Sequence, residues 1–330
     1  MYRIKLSAAI SSALLSLALL HSGMARASDD SEVKIAYVTG DLSALVPLVA
    51  DSQGIFQKHQ LKASFIAVKS GPEMVSAIIS GSAEFSDAAP QIAFPAMARG
   101  AHVVYLMNNY DLDYSLLARP SVAINDKAPY PDIVKPLKGM RVGVVGRGGL
   151  TEIFARKVFA DAGLNPDKDM SIIAVGAGLS AVGAFQNDQV DALVSLPPTD
   201  TVLGRGKYEV VVSNKTARDD VFGKNFISTG VSANGDFVDA NPQVTQRYCE
   251  AYKETIDFIH APQNREAVVK LVSAKLNLPV ATAGRVFDQY SANFNARLTK
   301  ERWDFMRKRQ PDAPTWEKGV YPPCAEISVK

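Results

Sequence analysis

Arg147-Gly148-Gly149-Leu150-Thr151 is the stretch of this 330-residue chain best equipped to hold a charged group. An apolar run, Val142 to Val145, reads as a buried strand, and the glycines after it release the chain. Leu150, Ile153, Phe154 and Val158 then recur at helical spacing. A strand, a glycine turn and a helix start aim backbone N–H groups and the positive end of a helix at whatever lies above the turn. Arg147 adds a full charge there: it could clamp a carboxylate or sulfonate, or stand as a solvated arginine of the turn. Thr151, Ser43, Ser70 and Ser195 supply hydroxyl donors. Asp41 and Asp87 offer the opposite chemistry: they could hold an amine, as in an aminosulfonate, or cap helices, the commoner role. Tyr114, with Tyr110, could stack on an aromatic ligand or pack in a core.

The same glycines raise the question of a nucleotide. The dinucleotide fingerprint, counted from Gly146 through Gly148, meets Thr151 where its last glycine belongs, and no acidic residue ends the next strand, Ser171 to Val175. The phosphate-loop pattern fails for want of Gly-Lys-Ser/Thr. Gly178-Leu179-Ser180-Ala181-Val182 approaches a hydrolase nucleophile elbow but lacks its final glycine. His59, His102 and His260 stand beside no candidate nucleophile in a recognisable pattern. No cofactor and no metal are expected.

The positioning elements come as a repeat. Val33 to Val38 alternates as a strand does and ends in the turn Gly40-Asp41-Leu42-Ser43. A helix with Leu45, Leu48 and Val49 follows, then a strand, Ala63 to Val68, ending at Ser70-Gly71. Met74, Val75, Ile78 and Ile79 mark a second helix, and a short strand leads into Asp87-Ala88-Ala89-Pro90. Shifted by 107 positions, Lys34 falls on Arg141, Gly71 on Gly178, Glu84 on Asp191 and Pro90 on Pro197. Each half therefore reads strand–helix–strand–helix–strand, an α/β unit with its turns at one sheet edge. Open α/β sheets bind ligands at that edge. Two facing edges would form a cleft, one jaw from the turns just named. The other comes from Arg147 to Thr151, Gly176-Ala177-Gly178 and Ser195-Leu196-Pro197-Pro198. Tyr105 to Leu117 leads toward the second unit; the strand Ile227 to Ser232, with Thr229 in the candidate ligand set, crosses back. Only helices follow, the first carrying Val244, Tyr248, Tyr252, Ile256 and Ile259 on one face. Two crossings make a hinge.

The first residues, Met1-Tyr2-Arg3-Ile4-Lys5, a Leu-rich run through Leu20 and Ala25-Arg26-Ala27, form a signal peptide with cleavage expected after Ala27. No Cys stands near that site, which argues against a lipoprotein, so a cleaved, exported, periplasmic protein is expected. Cleavage removes Arg3, Lys5 and Arg26, turning the net charge of +2 into −1. That balance gives no footing for nucleic acid. The two cysteines, Cys249 and Cys324, read as a disulfide in an oxidising compartment.

Several segments together resemble the periplasmic solute-binding proteins of ABC transporters, in the sulfonate/taurine/nitrate branch that includes thiamine-precursor binders. They are Lys34-Ile35-Ala36-Tyr37, Gly54-Ile55-Phe56, Ile79 to Phe85, Leu137 to Val144, Ala162-Gly163-Leu164 and Val190-Asp191-Ala192, spread over nearly the whole mature chain. The resemblance implies a type II two-lobed periplasmic binding protein fold, each lobe a mixed, mainly parallel sheet flanked by helices. Lobe 1 would hold residues 28–118 and 228–330, and lobe 2 residues 119–227. It implies a non-enzymatic, monomeric receptor that closes on a small organic anion at the loops between the lobes and delivers it to an inner-membrane permease. The alternatives are a thiamine-pyrimidine binder, a secreted hydrolase and a pyrimidine-synthesis-like enzyme; export and the lack of a His/Cys-rich cluster stand against the last.

Overall fold

The computed structural model describes residues 30–111, 114–213, 225–310 and 312–329. The expected signal peptide, residues 1–27, lies outside them.

The chain builds two five-stranded sheets. The first carries β1 (Ser31–Val38), β2 (Leu61–Val68), β3 (Phe85–Ser86), β4 (Val103–Tyr110) and β10 (Thr229–Asn234) in the order β2-β1-β3-β10-β4. The second carries β5 (Ser115–Ala118), β6 (Arg141–Val144), β7 (Ser171–Ala174), β8 (Ala192–Ser195) and β9 (Glu209–Ser213) in the order β7-β6-β8-β5-β9. β1 runs parallel to β2 and β3, and β6 parallel to β7 and β8. In each sheet the next strand inward from the parallel trio, β10 or β5, is antiparallel. The crossing strands are thus placed alike in the two lobes, and the architecture is the mixed α/β pair expected from the repeat.

The repeat extends to single hydrogen bonds. The Lys34 N–H donates to the Glu84 carboxylate at 2.6 Å, and the Glu84 N–H donates back to the Lys34 carbonyl at 3.0 Å. At the matching positions the Arg141 N–H donates to the Asp191 carboxylate at 2.9 Å, and the Asp191 N–H donates to the Arg141 carbonyl at 2.9 Å. In both lobes an acidic residue at the entrance of the third strand pins the start of the first.

β5 pairs with β8 and β9, so Ser115–Ala118 lies in the second sheet, ahead of the lobe boundary expected after 118. The stretch from Tyr105 to Leu117 holds two strands in different sheets. Arg302, 6 % exposed, holds both crossings: one guanidinium nitrogen donates to Asp111 at 2.6 Å and to the Phe226 carbonyl at 2.8 Å.

The helices are α1 (Leu45–Ser52), α2 (Ile55–Lys58), α3 (Gly71–Ile79), α4 (Pro90–Ala98), α5 (Leu150–Asp161), α6 (Leu179–Gln186) and α7 (Thr199–Leu203). After β10 come α8 (Gly235–Ala240), α9 (Pro242–His260), α10 (Arg265–Leu276), α11 (Val280–Tyr290), α12 (Lys300–Arg307), α13 (Trp316–Gly319) and α14 (Pro322–Ser328). None among the described residues is long and apolar enough to cross a membrane. α9 turns its stripe of Thr245, Tyr248, Cys249, Tyr252, Ile256 and Ile259 onto the first lobe, where Tyr248 stacks on Phe85 at 3.8 Å between ring centres. α11 reaches the second lobe: the Tyr290 hydroxyl donates to Asp200 of α7.

Cys249 of α9 and Cys324 of α14 are bonded, with a sequence separation of 75. Closing a loop of that length restricts the unfolded chain, so Cys324→Ala should lower stability by about 2–5 kcal/mol in urea unfolding. The unreduced, unfolded wild-type protein should titrate no free thiol.

Candidate functional site

The two jaws meet through glycines. A methyl group on Gly178 would lie 2.8 Å from the Gly40 carbonyl oxygen, and one on Gly146 would lie 2.7 Å from the Ser70 Cβ. Both are closer than real side chains allow, so the absence of a side chain permits backbone to pass against the opposite lobe. Gly178 also has φ of +58°, which an L side chain resists. The rim is completed by Gly148, 3.7 Å by the same measure from Pro72.

Behind this rim lies a cavity of about 50 Å³. The first lobe contributes Val38, Asp41, Ser43, Gly71, Met74, Asp87, Ala89, Ile92, Ser228 and Thr229; the second contributes Val145, Gly146, Gly149, Leu150, Thr151 and Leu196. The sequence places them there by one device used repeatedly: strands end and helices begin at the same edge. Ser43 lies in the 3-10 turn Leu42–Ala44 that runs into α1, Gly71 opens α3, Ala89 caps α4, and Gly149 caps α5. First-turn amides have no acceptor within their own helix, so four helix starts present donors to one small space.

The charged groups of the cavity are both acidic. Asp41 and Asp87 line it, and no Lys or Arg stands among the described lining residues. Asp41, buried, accepts the Ser43 N–H at 2.9 Å; burial raises its pKa against the pull of that bond. Asp87, 2 % exposed, accepts the Tyr252 hydroxyl on Oδ1 at 2.7 Å. Burial pushes the Asp87 carboxyl up to about 7; the Tyr252 hydrogen bond opposes this, and the nearby Asp41 charge adds to it. Its second oxygen, Oδ2, is buried without a partner among the described residues. A buried carboxylate oxygen left unpaired costs a large part of its lost hydration, so it calls for a donor.

Three of the other polar side chains are already engaged. Thr151 Oγ1 accepts the Val145 N–H at 3.0 Å, and the hydroxyls of Ser228 and Thr229 each donate to the Tyr110 carbonyl at 3.0 Å. Met74, Ile92, Leu150 and Leu196 supply an apolar wall.

Of the residues expected at the site, Asp41, Ser43, Gly71, Asp87, Ala89, Gly149, Thr151 and Thr229 line the cavity. Gly40, Ser70 and Gly148 form the rim contacts. Leu42 and Ala88 are buried in the core, and Gly176 lies against the Ser180 side chain in its own lobe. Ser195 and Pro197, though buried, are not among the lining residues. Tyr114, 1 % exposed, packs edge-to-face on Phe154 with ring centres 4.8 Å apart and serves the core.

Arg147 is the correction that matters most. Its side chain is 56 % exposed, stands 3.3 Å from Glu152 and reaches the Ile172 carbonyl, away from the cavity. Glu152 is buried in the first turn of α5 and already receives the Gly148 N–H and Arg156 at 2.8 Å each. Burial works to raise its pKa, but Gly148, Arg156 and Arg147 together hold it below the usual value. The chain supplies its own anion for Arg147. Sequence reasoning also passed over Met74 and Ile92 as core residues and Tyr252 as a helix-face aromatic; the one available signal was a hydroxyl-bearing ring on a buried stripe.

Comparison with known proteins identifies a family and a fold, with an enzyme, DSZB, among the structural neighbours. The chain belongs to the NMT1-like family, whose model matches residues 26–273. A Brucella abortus protein named as a candidate binding protein is 25 % identical over 251 residues, covering 74 % of this chain and 72 % of its own. A solved structure from Bordetella bronchiseptica superposes with a TM-score of 0.78 at 21 % identity, covering 91 % of this chain and 97 % of its own. The periplasmic nitrate-binding protein of Synechocystis gives 0.69 at 13 % identity, with coverages of 91 % and 88 %. The alkanesulfonate-binding protein of Xanthomonas axonopodis, bound to MOPS, gives 0.67 at 18 % identity, with coverages of 89 % and 97 %. The fold is that of the type II periplasmic binding proteins.

Because Arg147 is largely exposed outside the cavity and buried Glu152 keeps Gly148 and Arg156 as partners without it, Arg147→Ala should cost less than about 1 kcal/mol in urea unfolding. It should leave any ligand-induced rise in Tm unchanged. A lost thermal shift would return Arg147 to the site.

Proposed function

We propose that this protein is the periplasmic solute-binding receptor of an ABC importer, exported by residues 1–27 and non-enzymatic, and that its ligand is a small molecule bearing an amine. Supporting the receptor reading are the family, the binding proteins among its structural neighbours, and a cavity built from both lobes behind glycine contacts. The lobes would close over ligand and present a joint surface to the permease.

The single observation that carries the ligand class is the buried, unpartnered Oδ2 of Asp87, with Asp41 beside it. An ammonium or an N–H edge would satisfy both carboxylates at once. The simple organic anion first expected from Arg147 would instead meet two acidic groups at the cavity wall. An acid group can still be accommodated at the far side, where α3 and α5 begin at Gly71 and Leu150. A taurine-like aminosulfonate, amine toward Asp87 and sulfonate toward those helix starts, fits this division best. An aminopyrimidine of the thiamine-precursor type shares the amine and sets its ring against Met74 and Ile92.

A thermal-shift and calorimetry panel of taurine, ethanesulfonate and an aminopyrimidine tests the reading. An amine-bearing compound should raise Tm, and ethanesulfonate, which matches taurine without its amine, should not. Stabilisation by ethanesulfonate with none by either amine would overturn it. Since protonation of Asp87 competes with the amine, affinity should fall as pH drops through about 7, approaching tenfold per pH unit below it. Asp87→Asn should weaken binding at pH 8 at least tenfold and flatten that pH dependence.

A further inference from the structure

Asp87 does not set its own orientation. It sits just after β3, and the group that holds it comes from α9, 165 residues away in sequence: the Tyr252 hydroxyl, 2.7 Å from Oδ1. With Oδ1 engaged there, Oδ2 is the oxygen left for the cavity. Tyr252 is itself fully buried and cannot wander. One turn before it, on the same face of α9, Tyr248 lies stacked on Phe85 and on Phe56, with ring centres 3.8 Å and 5.7 Å away. Between the two tyrosines in sequence, Cys249 ties α9 to α14. Tyr248 carries no such duty toward Asp87: its hydroxyl is buried without a partner among the described residues. Of these two neighbouring tyrosines on one helix face, only Tyr252 hydrogen-bonds the carboxylate.

We propose that Tyr252 is the positioning residue of the binding site: its hydroxyl fixes one oxygen of Asp87 and so turns the other toward the ligand amine. The inference rests on the amine-receptor reading for the ligand, but not for the Tyr252–Asp87 contact itself. Asp87 is the group that touches ligand, and Tyr252 acts through it. Among the described residues, the titratable groups that act on Asp87 are Asp41, from the turn after β1, and Tyr252, with Tyr248 beside them on α9. Tyr252 donates a hydrogen bond to the ionised carboxylate, so its loss favours the protonated form. The orienting effect and the pH threshold of binding therefore belong to the same hydroxyl.

The test uses the purified protein with ¹³C-labelled aspartate, following the Asp87 carboxyl by NMR from pH 4 to 9 without ligand. The wild type should titrate near 7. Tyr252→Phe should raise the midpoint by at least half a unit, and Tyr248→Phe should leave it in place. Urea unfolding of both variants provides the folding control. In parallel, binding of whichever panel amine stabilises the wild type is measured from pH 5 to 9. Tyr252→Phe should weaken it at least fivefold at pH 7, with the pH midpoint displaced upward in step with the NMR midpoint. An unmoved Asp87 midpoint, or an affinity loss equal at every pH, overturns the positioning role. A displaced Asp87 midpoint in a protein that ignores every amine keeps the Tyr252–Asp87 control and overturns the amine reading alone.

Discussion

A carboxylate removed from water has to be met by something, and the first lobe is arranged around how Asp87 is met. One oxygen is satisfied by Tyr252, while the other is buried and unpartnered among the described residues. The cost appears in the carboxyl itself, which burial pushes up to about 7. Holding it there requires a rigid wall. α9 supplies that wall, pinned to the sheet by the Tyr248–Phe85 stack and to the C-terminal helix by Cys249–Cys324. The C-terminal helices are therefore part of the binding lobe's frame, not an appendage to two α/β units.

The internal repeat was readable because it is written in residues that must do the same job twice. Lys34/Glu84 and Arg141/Asp191 keep an acidic side chain on the N–H of the first strand in each lobe. Glycines at the strand ends recur because the chain passes close to the opposite lobe across the cleft, Gly40 against the backbone of Gly178 and Gly146 against the Ser70 side chain. Such constraints leave a mark on residue type, and eight of the eighteen expected ligand residues do line the cavity. The lobe boundary was less legible. β4 and β5 follow each other within a few residues, and local residue type does not say which sheet each strand joins. Only strand pairing assigns Ser115–Ala118 to the second sheet.

Which side chains face the cavity was the part that sequence could not carry. Arg147 follows a buried strand and precedes a helix, the right address for an anion clamp, but a side chain six bonds long can turn either way. Its direction is decided by Glu152, five residues on, which is buried at the helix start and draws Arg147 and Arg156 to itself. Asp41 and Asp87 presented the mirror-image ambiguity. Each stands where a helix cap belongs, and Asp41 does accept the Ser43 N–H. Asp87 instead accepts a hydrogen bond from a tyrosine on a distant helix, a contact that no local spacing encodes.

These two outcomes bear on how closure can be driven. A ligand moves a two-state equilibrium only by the difference in its affinity for the two states. Burial strips water from Asp87 and pushes its carboxyl up to about 7, and Asp41 beside it makes the charge harder to keep. On the proposed amine reading, a ligand amine would meet that charge, whereas an anion held by an outward Arg147 would not. The atom that would recognise the ligand is then the same buried carboxylate oxygen whose lost hydration the ligand would offset.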